Sequence, residues 1–157
     1  MTSYSPITPE IVNHIQAIFR SKHLIDDSEK LEMSSKDASE EKYVPDLLVE
    51  ATSAEQVQIL MRLANQFSFP VTPRDSGTGV AGVTLPLLAG VVLSLAKMNR
   101  ILVIEKENLI AVVEPGVINL DLKNAVRDVD LFYPPDPASL DTSSRTFTGE
   151  HSYSEGN

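Results

Sequence analysis

The residues best suited to chemistry lie in the run Phe69-Pro-Val-Thr-Pro-Arg74-Asp-Ser-Gly77-Thr-Gly79-Val-Ala-Gly82-Val-Thr-Leu-Pro86. Three glycines in six positions follow a short apolar segment bounded by prolines, with Arg74 just ahead of them. Glycine admits positive φ and has no Cβ, so the backbone can curl tightly and bring its N–H groups against a ligand. Several N–H groups aimed into one concavity attract anions, phosphates above all. Gly77-x-Gly79-x-x-Gly82 literally matches a dinucleotide fingerprint, but that motif needs a helix that starts inside it and points at the pyrophosphate. Pro86 arrives four residues after the last glycine and a β-rich run follows Gly90, so no such helix fits. Nor does an acidic residue end the next strand, since Val91–Leu95 runs into Ala96-Lys97. No Gly-Lys-Ser/Thr follows, which excludes the ATP-type loop. A ligand-free connection whose glycines serve turn geometry alone stays open. Arg74 taken alone reads as a solvated or salt-bridged surface residue.

Other reactive groups are sparse. Cysteine is absent, which removes disulfides, thiolate metal sites and cysteine nucleophiles together. His14 falls on an amphipathic surface, His23 follows a helix whose C-terminal dipole it can serve, and His151 lies in a polar tail. Their scatter suits no metal site. Asp26-Asp27 and Glu40-Glu41 read as solvated charge, and Asp136 between prolines reads equally as a turn former or a ligand neighbour.

The elements that must position the loop follow from pattern. Thr8-Pro9-Glu10 reads as N-cap, first-turn proline and acidic first turn, and Ile11, Ile15 and Ile18 with Val12 and Phe19 carry a helix to about Arg20. Residues 26–42 are polar and read as a surface connection. Leu47–Glu50 is a short strand. Ser53-Ala-Glu-Gln56 is a capping box that starts a helix with Val57, Leu60, Met61 and Ala64 on its inner face, ending before Pro70. Val71-Thr72 is the next strand, so strand, helix and strand make a parallel βαβ unit with a right-handed crossover. Val91–Leu95, continuously apolar, reads as a strand covered on both faces. Eighteen residues with little pattern separate Thr72 from Val91, and loops of that length inside a compact domain are usually functional. Ile101–Ile104, the turn Glu105-Lys-Glu-Asn108 and Leu109–Val113 read as a hairpin, which Pro115-Gly116 ends. Asn119 can cap a helix with Leu122, Ala125, Val126 and Val129 inside, and Leu131–Pro137 returns the chain to extended structure.

Composition bounds the rest. With 157 residues and 42% apolar content the chain can bury its own core. A net charge of −9 argues against a nucleic-acid partner, whose binding needs clustered Lys and Arg. The start lacks a secretory pattern and the longest apolar run, Leu87 to Ala96, is far short of the roughly 20 residues of a transmembrane segment. The expected location is therefore cytoplasmic.

Pro-x-x-Pro73-Arg74-x-x-Gly77-Thr78-Gly79-x-x-Gly82-x-x-x-Pro86 resembles the FAD-binding domain of the vanillyl-alcohol oxidase and p-cresol methylhydroxylase type. The likeness narrows to the flavin subunit of glycolate oxidase and related D-lactate dehydrogenases. It extends from about Tyr43 to Ser144 and includes Pro45-Asp-Leu-Leu-Val49, the Ser53-x-Glu-Gln-Val57 helix start, Lys97-Met-Asn-Arg-Ile101, Val113-Glu-Pro-Gly-Val117 and Tyr133-Pro-Pro-Asp-Pro-Ala-Ser139. Each piece is weak alone; their order and spacing make them specific. The resemblance implies FAD as cofactor, with Pro73, Arg74, Asp75, Ser76, Gly77, Thr78, Gly79 and Gly82 around its pyrophosphate, mainly through backbone N–H groups. It also implies that Pro135, Asp136 and Ser139 come close to the same cofactor. Oriented amide dipoles act locally, so an acidic chain can hold this anion. Asp75 and Val83 stand where such proteins carry glycine, and a carboxylate beside a pyrophosphate calls for Asp75 to turn away, onto Arg74.

After Ser144 the family would continue with Gly-Gly-Asn and an alanine-rich turn, whereas this chain reads Arg145 to Asn157, a polar tail expected to be disordered. A frameshifted or truncated gene product is the corresponding expectation, testable by translating the downstream DNA in the other frames. The expected fold is α/β: a first parallel-sheet lobe and the start of a second. Three regions are expected, an N-terminal helix and connection at 1–42, a partial FAD-binding domain at 43–144, and a divergent tail at 145–157. By resemblance the parent oxidises a 2-hydroxy acid of the glycolate or D-lactate type, passing a hydride to flavin N5, with other oxidase subunits as possible partners. No residue of this chain is expected to act as acid, base or substrate ligand. The competing expectation is a non-catalytic remnant or a partner-binding fragment, with an unpaired apolar edge at Val91–Leu95 or at the hairpin.

Overall fold

The computed structural model describes residues 4–33, 35, 43–74 and 85–134. They fall into two compact units, Met1–Met98 and Asn99–Asn157.

The first unit is a four-stranded sheet with two helices on one face. Helix α1 (Pro9–Ile18) starts where Thr8 Oγ1 accepts from the Ile11 N–H at 3.4 Å, and Phe19 rather than Arg20 closes it. Strand β1 (Leu24–Ile25) and the short helix α2 (Ser28–Met33) follow. Neither was expected: β1, of only two residues, precedes the polar stretch at 26–42, and α2 lies within it, anchored by the buried Leu31. Neither leaves a periodic signal.

Strand β2 (Leu47–Glu50) leads to helix α3 (Ala54–Phe67). Ser53 Oγ accepts from the Gln56 N–H at 3.3 Å, as the capping box requires. Gln56 reaches back one residue further than expected, its Oε1 accepting from the Thr52 N–H at 2.8 Å. Its Nε2 donates to the Ile18 carbonyl at 3.3 Å and so joins the start of α3 to the end of α1. Leu60 and Ala64 face inward, but Met61 is exposed, since the buried stripe runs through Val57, Leu60, Ala64 and Phe67 instead. His14 on α1 lies beside Phe67 of α3, ring centroids 5.4 Å apart.

Strand β3 (Val71–Arg74) and strand β4 (Val91–Ser94) complete the sheet in the order β1-β2-β4-β3, with β4 parallel to both β2 and β3. Parallel pairing was expected; the insertion of β4 between β2 and β3 was not. Its Val91, Val92 and Leu93 are all buried, as a strand covered on both faces should be. An unpaired apolar edge at Val91–Leu95 is therefore excluded. The edge strands among the described residues are β1 and β3, and on β3 Pro73 is tolerated because no described neighbour needs its missing N–H. Ile11, Ile15 and Phe19 of α1 and Leu60 of α3 pack on Leu47, Val49, Val91 and Leu93. Each such side chain, fully buried, contributes about 1.5–3 kcal/mol.

The second unit is a hairpin and a helix. Strand β5 (Ile101–Glu105) pairs antiparallel with β6 (Ile110–Val113), with a bulge at Leu102. Helix α4 (Asn119–Arg127) lays Leu122 and Val126 on a small cluster with Val117, Ile101, Ile104, Val113, Leu131 and Tyr133. Asn119 was expected as the cap. The cap position belongs instead to Ile118, whose side chain has no acceptor, and Asn119 is the first helical residue.

Arg100 and Glu114 extend the hairpin by one pair. The Glu114 carboxylate accepts from the Arg100 backbone N–H at 2.9 Å, from Nε at 3.1 Å and from Nη2 at 2.7 Å. These hydrogen bonds, side chain first and backbone second, hold the carboxyl below its ordinary value of 4.5, against the opposing effect of burial. A depressed folded value means that the unfolded chain binds the extra proton first on acidification. The pair's stabilisation is thus complete above pH 4.5 and is lost as pH falls through the lower folded value. Urea unfolding followed at pH 3 to 7 should show this loss in the native chain and a flatter acid limb in Glu114→Gln; equal acid limbs would refute it.

Candidate functional site

Parallel strands β2, β4 and β3 end in one row: Glu50 is in register with Ser94, and Ser94 with Arg74. Residues in register on neighbouring strands share a face of the sheet. Glu50, Ser94 and Arg74 therefore emerge on the face opposite Leu47, Val49, Val91 and Leu93. Leu24 pairs with Val49, which brings the preceding His23 opposite Glu50, and His23 Nδ1 lies 3.4 Å from Glu50 Oε2. A polar row of His23, Glu50, Ser94 and Arg74 thus crosses the carboxyl end of the sheet. In open α/β sheets that end is where ligands bind. The Leu95 N–H donates to the Arg74 carbonyl at 3.1 Å and the Ala51 N–H to the Ser94 carbonyl at 2.9 Å, which fixes the backbone along the row.

Pro73 and Arg74 are the last residues of β3, so the glycine-rich segment leaves from this row. Asp75, Ser76, Gly77, Thr78, Gly79 and Gly82 lie outside the described residues, as do Pro135, Asp136 and Ser139. The structure resumes at Leu85 and Pro86, both buried, and reaches Gly90 at the opposite, amino end of the strands. There the Gly90 N–H donates to Asp46 Oδ2 at 2.9 Å, and the Gly90 carbonyl accepts from the Asp46 and Leu47 N–H groups at 2.9 and 3.2 Å. The segment between Arg74 and Gly90 is therefore held at both of its roots.

His23 was expected to serve the helix dipole; its partner is Glu50. Sequence reasoning did not single out Glu50, Ser94 or the Arg100–Glu114 pair. The two motifs of the resemblance that contain Arg100 and Glu114 sit side by side, and opposite charges flanking a hairpin were the available signal. Among the described residues no group of three His, Asp or Glu could hold a metal ion, and no helix is long and apolar enough to cross a membrane.

Residues 45–146 match the family model of the FAD binding domain. Glycolate oxidase subunit GlcD of Bacillus subtilis is 41% identical over 101 residues, covering 64% of this chain and 22% of that protein. D-lactate dehydrogenase of Anaerostipes hadrus is 36% identical over 135 residues, covering 85% of this chain and 28% of that protein. The chain thus spans about a quarter of the length of the curated relatives it matches. Among solved structures, p-cresol methylhydroxylase superposes with a TM-score of 0.68 at 26% identity, over 82% of this chain and 27% of that one. An alkyldihydroxyacetonephosphate synthase superposes at 0.80 over 92% of this chain and 29% of that one; at 22% identity it shows the fold alone.

Proposed function

Because the chain belongs to the FAD binding domain family through residues 45–146, we propose that it is the FAD-holding part of an oxidoreductase acting on a 2-hydroxy acid of the glycolate or D-lactate type. FAD is the cofactor of this domain, and its relatives include glycolate oxidase subunits and D-lactate dehydrogenases. One observation carries the reading: the glycine-rich segment leaves β3 at Arg74, on the carboxyl end of a parallel sheet, next to Ser94. That position and donor set fit a diphosphate. Gly77, Gly79 and Gly82 let backbone N–H groups approach closely, Ser76 and Thr78 add hydroxyl donors, and Pro73 and Arg74 set the direction in which the loop departs. Pro135, Asp136 and Ser139 are assigned a place close to the same cofactor on the resemblance alone, and Asp75 is assigned to the loop on the same ground. Bound FAD supplies the hydride acceptor, while the chain's share is to hold and orient it.

The 2-hydroxy acid and any further oxidase subunit are assigned by likeness to the longer relatives. Titrating the chain with FAD and following quenching of flavin fluorescence tests the reading, with Gly77→Asp as the control expected to fail. A second reading, a fragment that binds another polypeptide, is favoured by one feature of the hairpin. Leu102, Val103, Ile110 and Val112 of β5 and β6 are about half exposed, and a two-stranded hairpin is marginal on its own. Concentration-dependent mass in sedimentation, without flavin binding, would support that reading over the first.

A further inference from the structure

The hairpin of β5 and β6 has two unlike faces. Ile101, Ile104 and Val113 turn toward α4 and meet Leu122 and Val126. The outer face carries Val103 and Val112 as a directly opposed pair, with Leu102 in the bulge beside them and Ile110 further along β6. These four side chains are 43–52% exposed, and Leu109 at the turn is 76% exposed.

The charges on that face stand at equal distances from its centre. The Glu114 N–H donates to the Arg100 carbonyl at 2.9 Å, so Arg100 and Glu114 form the pair beyond Ile101 and Val113. Counted along β6, this pair lies two steps from Val112 on one side, and the pair of Glu105 and Ile110 lies two steps away on the other. Side chains alternate along a strand, so all three pairs share the outer face. Glu114 is buried beneath Arg100, whose own side chain stays 70% exposed and can meet a second carboxylate. At the other end Asn108 Nδ2 donates to Glu105 Oε2 at 3.1 Å and holds that carboxylate at the turn.

We propose that a second copy of this chain docks on the outer face, hairpin on hairpin, about a two-fold axis crossing the strands at Val103 and Val112. The proposal rests on the polypeptide-binding reading above, narrows it to one partner, and does not depend on FAD. With the two hairpins running in opposite directions, Val103 meets the partner's Val103, and Arg100 meets the partner's Glu105 twice by symmetry. A two-fold interface must be self-complementary in this way. A strongly charged partner would call for a face of one sign, whereas this one is apolar at its centre with one exposed charge of each sign flanking it. The apolar patch is on the order of 500 Å², a size that is often functional. Two such patches together reach about 1,000 Å², the lower bound for a specific interface, so the dimer is a weak one.

Sedimentation of the 157-residue chain should show its mass doubling as concentration rises from about 10 μM to 1 mM. Val103→Glu opposes two like charges at the axis and should weaken dimerisation about 100-fold or more, with an unchanged circular dichroism spectrum. The chain has no cysteine, so single thiols can map the contact whatever becomes of that variant. Val103→Cys should cross-link two copies on air oxidation far faster than Leu120→Cys, whose side chain on α4 is equally exposed at 44%. Equal cross-linking by the two cysteines, or undiminished dimerisation of Val103→Glu, overturns the proposal. So does a monomer at every concentration, and the Val103→Cys thiol then shows what falls with it. A thiol shielded from maleimide means that the chain's own residues 135–157 cover the face, which removes the polypeptide-binding reading as well. A reactive thiol leaves that reading standing with a different polypeptide as partner.

Discussion

Gly90→Ala should lower the free energy of unfolding by about 2–5 kcal/mol. Gly90 has φ of +73°, and a Cβ there would lie 2.5 Å from both Cγ and the carbonyl oxygen of Pro70. Neither atom can yield: the ring is rigid, and the carbonyl accepts from the Val91 N–H at 3.0 Å where β4 begins. Left-handed backbone alone costs an alanine about 1–2 kcal/mol, and crowding in a packed core adds about 1–3. The central strand would have to shift, and with it the Asp46 contacts that close this end of the sheet. Against a total of roughly 5–15 kcal/mol for a domain, such a loss is large. Urea unfolding measures it; a change within about 0.5 kcal/mol would show that the junction tolerates a Cβ.

The second large effect concerns binding. Gly77→Asp should weaken FAD affinity about 100-fold or more, because it adds a Cβ where backbone N–H groups must approach and a negative charge beside an anion. Since Gly77 has no side chain to lose, the unfolding midpoint without FAD should move far less than in Gly90→Ala. The two variants thus separate two expectations: one loses stability, the other affinity. A Gly77→Asp chain that binds FAD as the native chain does would place the pyrophosphate elsewhere.

The sequence revealed those parts of the fold that burial makes periodic. Ile11, Ile15, Leu60 and Ala64 mark their helices because each must face the sheet, and Val91 to Leu93 mark a central strand because both faces are covered. Strand β1 and helix α2 escaped because two residues and one anchoring leucine make no pattern. Met61 was misplaced since a four-residue stripe can drift by one position around a helix. The order β1-β2-β4-β3 was out of reach, as adjacency in a sheet is a long-range choice that local pattern does not record. At the site, the glycines and Arg74 announce themselves by type. The row of Glu50, Ser94 and Arg74 exists only through register. Asn119 even looked like a cap, because an asparagine before a helix normally is one.

The most direct measurement is a titration of the purified 157-residue chain with FAD, read as flavin fluorescence and as thermal unfolding. If Arg74 and the glycine-rich loop hold the pyrophosphate, fluorescence should change to a saturating plateau near one FAD per chain. At about 100 times Kd the bound cofactor should stabilise the fold by about 2.7 kcal/mol, a rise of roughly 5–10 °C in Tm. An unchanged Tm and a linear, non-saturating fluorescence signal would contradict it.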